Sequence, residues 1–173
     1  AAAAELRRAF PSLDLMADGN AAYRTHDAVR VGRALHDLGF GWLEEPLPTD
    51  GYVGYEDVRA RLPLPLAGGE SLQDRRSARE AIDRGAFDLV QPDVAICGGI
   101  GETIAIGDLA RPAAIAIHPH ACNGAIGLAA SLQVLATLPD PTRLPHDAPL
   151  LEVDFGPNPT RTDLLAEPLP FRD

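Results

Sequence analysis

Short apolar runs with strand character alternate with stretches of helical period along most of the chain. Leu13–Ala17 reads as a strand. Asp27–Leu38 reads as a helix with Ala28, Val31, Ala34, Leu35 and Leu38 on one face, Thr25 as its N-cap and Gly39 as its stop. Trp42–Glu44 predicts a second strand, Tyr55–Leu62 a helix, Pro65–Ala67 a third strand, and Leu72–Arg84 a helix stopped by Gly85. Asp88–Gln91, Ala114–Ile117 and Leu150–Val153 predict three more strands. Helices over Ile100–Ala110, opened by a glycine-rich turn, and over Gly124–Leu138 separate them. A leading helix over Ala1–Ala9 precedes the first strand, and the proline-rich stretch from Phe155 onward reads as irregular wrapping. Strands alternating with helices in short units specify a parallel sheet covered by helices, either open and doubly wound or closed as a barrel.

The polar residues decide between the two. An ionisable residue stands at the C-terminal end of each predicted strand: Asp18, Glu44, Glu70, Asp93, His120 and Glu152. One such group per βα unit, always at the same end, forms a ring around a barrel mouth, where (β/α)8 barrels place their chemistry. An open sheet would concentrate its site at one switch point. Six strands do not close such a barrel, so the pattern predicts a partial one, with strands three to eight present and the first two absent. Residues 1–154 are expected to form this portion and residues 155–173 a proline-rich tail.

Asp18, Glu44 and Glu70 come from consecutive strands, so their carboxylates would meet and repel unless a cation lies among them. Oxygen-only ligands suit Mg²⁺, or Mn²⁺, better than zinc. A helix cap or an arginine partner would explain any one of these acids alone; three in register favour the cation. Asp93 and His120 sit on the next two strands, where an aspartate that orients an imidazole makes a general acid/base. The alternative is a histidine satisfied beneath a loop. Ile117-His118-Pro119-His120 also contains an HxH that offers zinc ligands. That reading is weaker, because a zinc barrel wants the pair on its first strand, and His26, His36 and His146 fall on helices or a loop.

The 173 residues suffice for one domain, with 46% apolar and 23% charged residues in ordinary globular balance. Net charge is −10 and all 15 basic residues are arginine, with no basic stripe, which argues against nucleic-acid binding. The apolar runs are too short for a membrane span, and Glu5, Arg7 and Arg8 interrupt the region where a signal peptide needs an apolar core. A cytoplasmic protein is expected. Cys97 and Cys122, without a CxxC pattern, read as reduced thiols with no assigned role.

Several motifs together resemble the enolase superfamily, in its mandelate racemase/muconate lactonizing enzyme family and there the mandelate racemase branch with its acid-sugar dehydratases. They are Leu15-Met16-Ala17-Asp18-Gly19-Asn20, Trp42-Leu43-Glu44-Glu45-Pro46, Gly68-Gly69-Glu70-Ser71, and Gln91-Pro92-Asp93 followed by Cys97-Gly98-Gly99. Pro119-His120-Ala121-Cys122-Asn123-Gly124 and Leu151-Glu152-Val153 complete the set in order. The resemblance implies that Asp18, Glu44 and Glu70 are Mg²⁺ ligands, the first glutamate of the Glu44-Glu45 pair taking that role. Asp93 and His120 match the acid/base dyad. Glu152 matches the acid that hydrogen-bonds the substrate carboxylate as it becomes an enediolate, and Asn20 stands where a second polar group faces substrate. Gly98-Gly99 match the tight turn after strand six; a phosphate cradle at the following helix is the less favoured alternative.

Family members also carry an N-terminal α+β capping domain and a lysine-bearing second strand, neither of which this sequence contains. The chain is therefore read as part of a longer polypeptide. The chemistry implied is Mg²⁺-dependent removal of the proton α to a carboxylate, with dehydration of a sugar acid to a 2-keto-3-deoxy acid as outcome. Racemisation or epimerisation of a 2-hydroxy acid is the alternative, and a catalytically silent metal-binding barrel the rival outside enzymology. Cycloisomerases and dipeptide epimerases of the other branch need a lysine on strand six, and none follows Asp93; that branch is disfavoured. A small carboxylate substrate and a homo-oligomer are the partners expected.

Overall fold

The computed structural model describes residues 2–122, 124–138, 149–154, 156–167 and 169. Along the chain lie α1 (Ala2–Ala9), β1 (Ala17–Asp18), α2 (Thr25–Asp37), β2 (Leu43–Glu44), α3 (Tyr55–Arg61), β3 (Leu66–Gly68) and α4 (Arg75–Asp83). They are followed by β4 (Leu89–Val90), α5 (Ile100–Ala110), β5 (Ala116–Ile117), α6 (Ala125–Leu135) and α7 (Pro159–Thr162), with 3₁₀ turns at Asp50–Tyr52 and Arg111–Ala113. The chain divides into two compact units. The first runs to Gly68 and adds Glu80–Leu89; the second holds Gly69–Arg79 and the residues from Val90 onward.

In the first unit β2 lies between β1 and β3, parallel to both, with Asp18 opposite Glu44 and Leu43 opposite Leu66. The regular strands are short, but backbone bonds continue past them: Gly19 N–H to Glu44 O (2.8 Å) and Glu45 N–H to Ala67 O (3.0 Å). Leu43, Leu66, Ala67, Tyr55, Val58 and Phe87 are buried as its core. Tyr52, Tyr55 and Phe87 meet edge to face, with ring centroids 5.2–6.1 Å apart. The Tyr55 hydroxyl donates to the Leu47 carbonyl, and burial together with the charge of Glu45 pushes both phenols up, Tyr52 to about 12.

Arginine forks tie the helices down. Arg7 donates to the carbonyls of Leu13 (2.7 Å), Leu38 (2.8 Å) and Gly39 (2.8 Å), fastening α1 to the end of α2. Arg59 of α3 binds Asp88, whose other oxygen accepts the Leu66 N–H at the start of β3 (3.0 Å).

α2 departs from its predicted face. Ala28, Val29, Gly32 and Leu35 are buried, whereas Ala34 is exposed and Val31 and Leu38 are half-buried. The cause is Gly32: a Cβ there would stand 2.6 Å from Leu62 Cδ1, so the missing side chain lets Leu62 pack against the helix backbone. Thr25 is the first helical residue and not the cap; its hydroxyl packs against Gly54 instead.

In the second unit Asp93 bridges His120 in parallel, and His118 N–H donates to the Val90 carbonyl (3.0 Å). α4 begins at Arg75, three residues later than its period predicts, because Asp74 Oδ1 takes the N–H groups of Arg76 (3.0 Å) and Ser77 (2.7 Å). Ser77 Oγ answers by accepting the N–H groups of Gln73 and Asp74. Arg75 then chelates Glu102 of α5.

The expected strand at Leu150–Val153 does not form, so the described residues carry five strands where six were expected. Its physical reason is a side chain: the Leu150 N–H is taken by His118 Nδ1 (3.1 Å) and not by a strand carbonyl. The tail is not wholly irregular either, since Pro159 at a first-turn position opens α7. No described helix is long and apolar enough to cross a membrane.

Gly68 gives a direct test of the first unit's packing. A Cβ at this position would meet the Phe87 ring at 2.5 Å and Glu45 Cγ at 2.8 Å. Gly68→Ala is expected to destabilise the protein by about 1–3 kcal/mol through overpacking, read as a lower thermal midpoint, whereas Gly101→Ala, in open space, leaves the midpoint nearly unchanged.

Candidate functional site

The second unit gathers three of the predicted site acids around the imidazole of a fourth predicted residue, His120. Asp93 is fully buried and stands three residues beyond the end of β4. Its Oδ1 accepts the Ala95 N–H (2.7 Å), and its carbonyl accepts those of Ile96 (3.0 Å) and Cys97 (2.8 Å). This closed turn runs into Gly98 and Gly99, at φ +106° and +99°, a conformation open to glycine, and α5 starts beyond them. The other carboxylate oxygen of Asp93, Oδ2, meets His120 Nδ1 at 2.7 Å.

His120 Nε2 then faces two more acids, Glu70 Oε2 at 3.1 Å and Glu152 Oε2 at 3.6 Å. Burial pulls the imidazole pKa down, but the hydrogen bonds to Asp93 and Glu70 and the charge of Glu152 outweigh it and carry it up to about 10. Glu70 responds in the opposite sense. The hydrogen bond from His120 holds its carboxyl below the usual range, against the effect of burial.

The first unit places Asp18 and Glu44 opposite each other at the ends of β1 and β2. Asp18 Oδ1 accepts the backbone N–H of Asn20 (2.7 Å), and the Asn20 side-chain amide reaches Oδ2 (3.4 Å). Asn20 and Ala21 adopt left-handed φ values of +43° and +56° to make this turn. Asn20 thus orients the Asp18 carboxylate. Glu45 takes a different course from Glu44: it is buried, has φ +27°, and packs beside Gly68. Two carboxylates from adjacent strand ends are hard oxygen donors of the kind Mg²⁺ accepts, and the donor set contains no nitrogen or sulfur.

The HxH pair is not brought together, because buried His118 gives its Nδ1 to the Leu150 N–H while His120 turns both ring nitrogens to carboxylates. One residue with a place at the site was passed over. Cys122 Sγ donates to Glu152 Oε1 at 3.2 Å. Burial first, and then the hydrogen bond and charge of Glu152, push this thiol up to about 12. The signal for it was the spacing: two residues beyond His120 in extended backbone is the same side of the chain.

Residues 1–173, the whole sequence, match the family profile described as enolase C-terminal domain-like. The chain belongs to this family. It is 38% identical over 160 residues to D-galactarolactone cycloisomerase of Agrobacterium fabrum, a match covering 92% of this chain and 42% of that protein. Arabinonate dehydratase of Saccharolobus solfataricus is 34% identical, with 87% of this chain and 38% of that protein covered. Among solved structures, 3,6-anhydro-D-galactonate cycloisomerase from Zobellia galactanivorans superposes with a TM-score of 0.83 at 29% identity, covering 92% of this chain and 43% of that one. A racemase from Streptomyces coelicolor, described with bound magnesium, gives a TM-score of 0.76 at 26% identity over 87% of this chain and 39% of that one.

The chain therefore spans about two fifths of the length of these relatives. They are named as enzymes, and the parallel α/β architecture is that of the family's C-terminal barrel domain. Proteins named as cycloisomerases thus stand among these relatives beside one named as a dehydratase.

The Asp93 turn yields its own expectation. Asp93→Ala removes the acceptor of both the Ala95 N–H and His120 Nδ1, and is expected to cost about 1–3 kcal/mol. Asp93→Asn keeps one acceptor oxygen and should lie between parent and alanine variant in thermal midpoint. Equal midpoints for all three proteins would mean that the turn does not depend on the carboxylate.

Proposed function

We propose that this chain carries the acid/base side of an enzyme that removes the proton α to the carboxylate of a sugar acid and expels the β-hydroxyl. The α C–H and β C–O bonds break, water leaves, and the resulting enol tautomerises to a 2-keto-3-deoxy acid. The observation that carries this reading is the 2.7 Å contact of fully buried Asp93 with His120 Nδ1. Asp93 takes the Nδ1–H and so fixes the orientation of the ring, and Nε2, which carries a proton while it pairs with Glu70, accepts the α-proton once its own proton has left. The same Nε2, once protonated, returns a proton to the departing β-oxygen, which makes the elimination syn. Glu152 lies on the Nε2 side of the ring, and its role, in the protonated form, is to donate a hydrogen bond to the substrate carboxylate as negative charge develops there.

Asp18, Glu44 and Glu70 are the residues that would hold Mg²⁺, or Mn²⁺ in its place. When bound, the cation supplies positive charge that offsets the charge developing on the substrate. Asn20 keeps Asp18 turned for that role through its two hydrogen bonds. Dehydration is supported by the likeness to proteins named arabinonate dehydratase and L-talarate/galactarate dehydratase. A second reading is favoured by the 38% identity to D-galactarolactone cycloisomerase. If the oxygen on the β-carbon belongs to a ring, the same proton removal opens that ring and nothing is lost, so elimination becomes isomerisation.

Calorimetry on the intact protein is expected to show Mg²⁺ binding that Glu44→Gln weakens about tenfold or more. Unchanged affinity in Asp18→Asn, Glu44→Gln and Glu70→Gln alike would rule out this ligand set. A panel of aldonic and aldaric acids and their lactones, assayed with Mg²⁺, separates the two reactions by whether the keto product has lost water. His120→Asn should lower turnover about 10²–10⁴-fold in either case, and full turnover in that variant would remove His120 from the reaction.

A further inference from the structure

Cys122 has no part in the chemistry above, yet its sulfur lies beside two atoms that do. His120 Nε2 stands 3.6 Å from Glu152 Oε2, and Cys122 Sγ stands 3.2 Å from Glu152 Oε1. One donor atom from each of the three residues lies within 4.8 Å of the others. Tetrahedral zinc, with bonds of about 2.0–2.3 Å, separates its ligand atoms by roughly 3.3–3.6 Å. The two spacings to Glu152 lie close to that distance before any side chain moves.

The donors also have the right chemistry. Imidazole nitrogen, thiolate sulfur and carboxylate oxygen are the set that zinc takes, whereas Mg²⁺ avoids sulfur. Beyond the imidazole, Asp93 accepts the Nδ1–H at 2.7 Å, an arrangement of carboxylate, histidine and metal that orients a ligating ring and strengthens it as a donor. Glu70 Oε2, 3.1 Å from Nε2, borders the cluster.

We propose that His120, Cys122 and Glu152 form a binding site for a thiophilic divalent cation of the zinc type, separate in its donors from the all-carboxylate set of Asp18, Glu44 and Glu70. Binding releases the Cys122 S–H proton and any proton on Nε2, and leaves a fourth position for water. Because the metal takes the Nε2 lone pair, it blocks proton transfer by His120. Zinc is therefore an inhibitor of this active site, a consequence that rests on the function proposed above, whereas binding itself does not.

Cobalt(II) reports the site without any turnover, since thiolate ligation gives a charge-transfer band in the near ultraviolet. Titration of the full-length protein with Co²⁺ is expected to produce this band and Zn²⁺ to displace it. Cys122→Ala and the more conservative Cys122→Ser should both lose the band and bind Zn²⁺ about tenfold or more weakly, while Cys97→Ser, whose buried thiol is bonded to Thr103, retains it. No band in the parent protein, or a band that survives in both Cys122 variants, overturns the proposal. A band lost with Cys122 in a protein that dehydrates and isomerises no acid would keep the metal site and discard the catalytic reading instead.

Discussion

A carboxylate cut off from water has to be met by donors, and Asp93 organises the second unit by collecting them. One oxygen holds the Ala95 N–H, the other the His120 ring, and the carbonyl of the same residue takes two further amides. Left unpaired, such a group would cost several kcal/mol, so the turn, the parallel bridge to His120 and the orientation of the imidazole stand or fall together. The path of α5 follows as well, because it begins where this turn ends. The geometry of the imidazole here is a by-product of satisfying a buried charge.

The first unit solves a different problem. Its regular strands are two or three residues long, too short for their ladder alone to hold a layer. Side chains extend it: Asp88 receives both the Arg59 guanidinium and the Leu66 amide, and the Phe87 ring, met by Tyr52 and Tyr55, lies against Gly68. With no lysine in the chain, every such tie uses the planar guanidinium, whose several donors reach carbonyls and carboxylates from more than one element. Arg7 shows this best, gathering the Leu13 carbonyl on the approach to β1 and those of Leu38 and Gly39 at the end of α2.

Much of this was legible in the residues. The alternation of short apolar runs with helical periods located every described strand, and the ionisable residue at each strand end marked the side where Asp93 meets His120. Such features are written in local pattern and repeat at every βα unit. What escaped was decided by contacts between distant residues. Gly32 turned the buried face of α2 because Leu62 occupies the space it leaves, and Ser77 with Asp74 set the start of α4 by satisfying amides that no periodicity counts. Leu150–Val153 reads as a last strand, yet a histidine nitrogen takes the amide that a ladder would use. Cys122 was set aside because a single thiol has no motif; its meaning arises only when Glu152 lies next to it.

That histidine nitrogen gives the Glu152 segment an unusual kind of attachment. The Leu150 amide hangs on one side-chain acceptor, whereas an amide inside a sheet is protected by neighbours on the same ladder. Releasing it needs only the rupture of that bond, not the unfolding of the parallel strands, so exchange of this proton with solvent reports a local opening well below the global stability. The acid that faces the imidazole is thus carried on a segment tied by a side chain, while the imidazole itself is tied to Asp93 by a backbone bridge as well as a hydrogen bond.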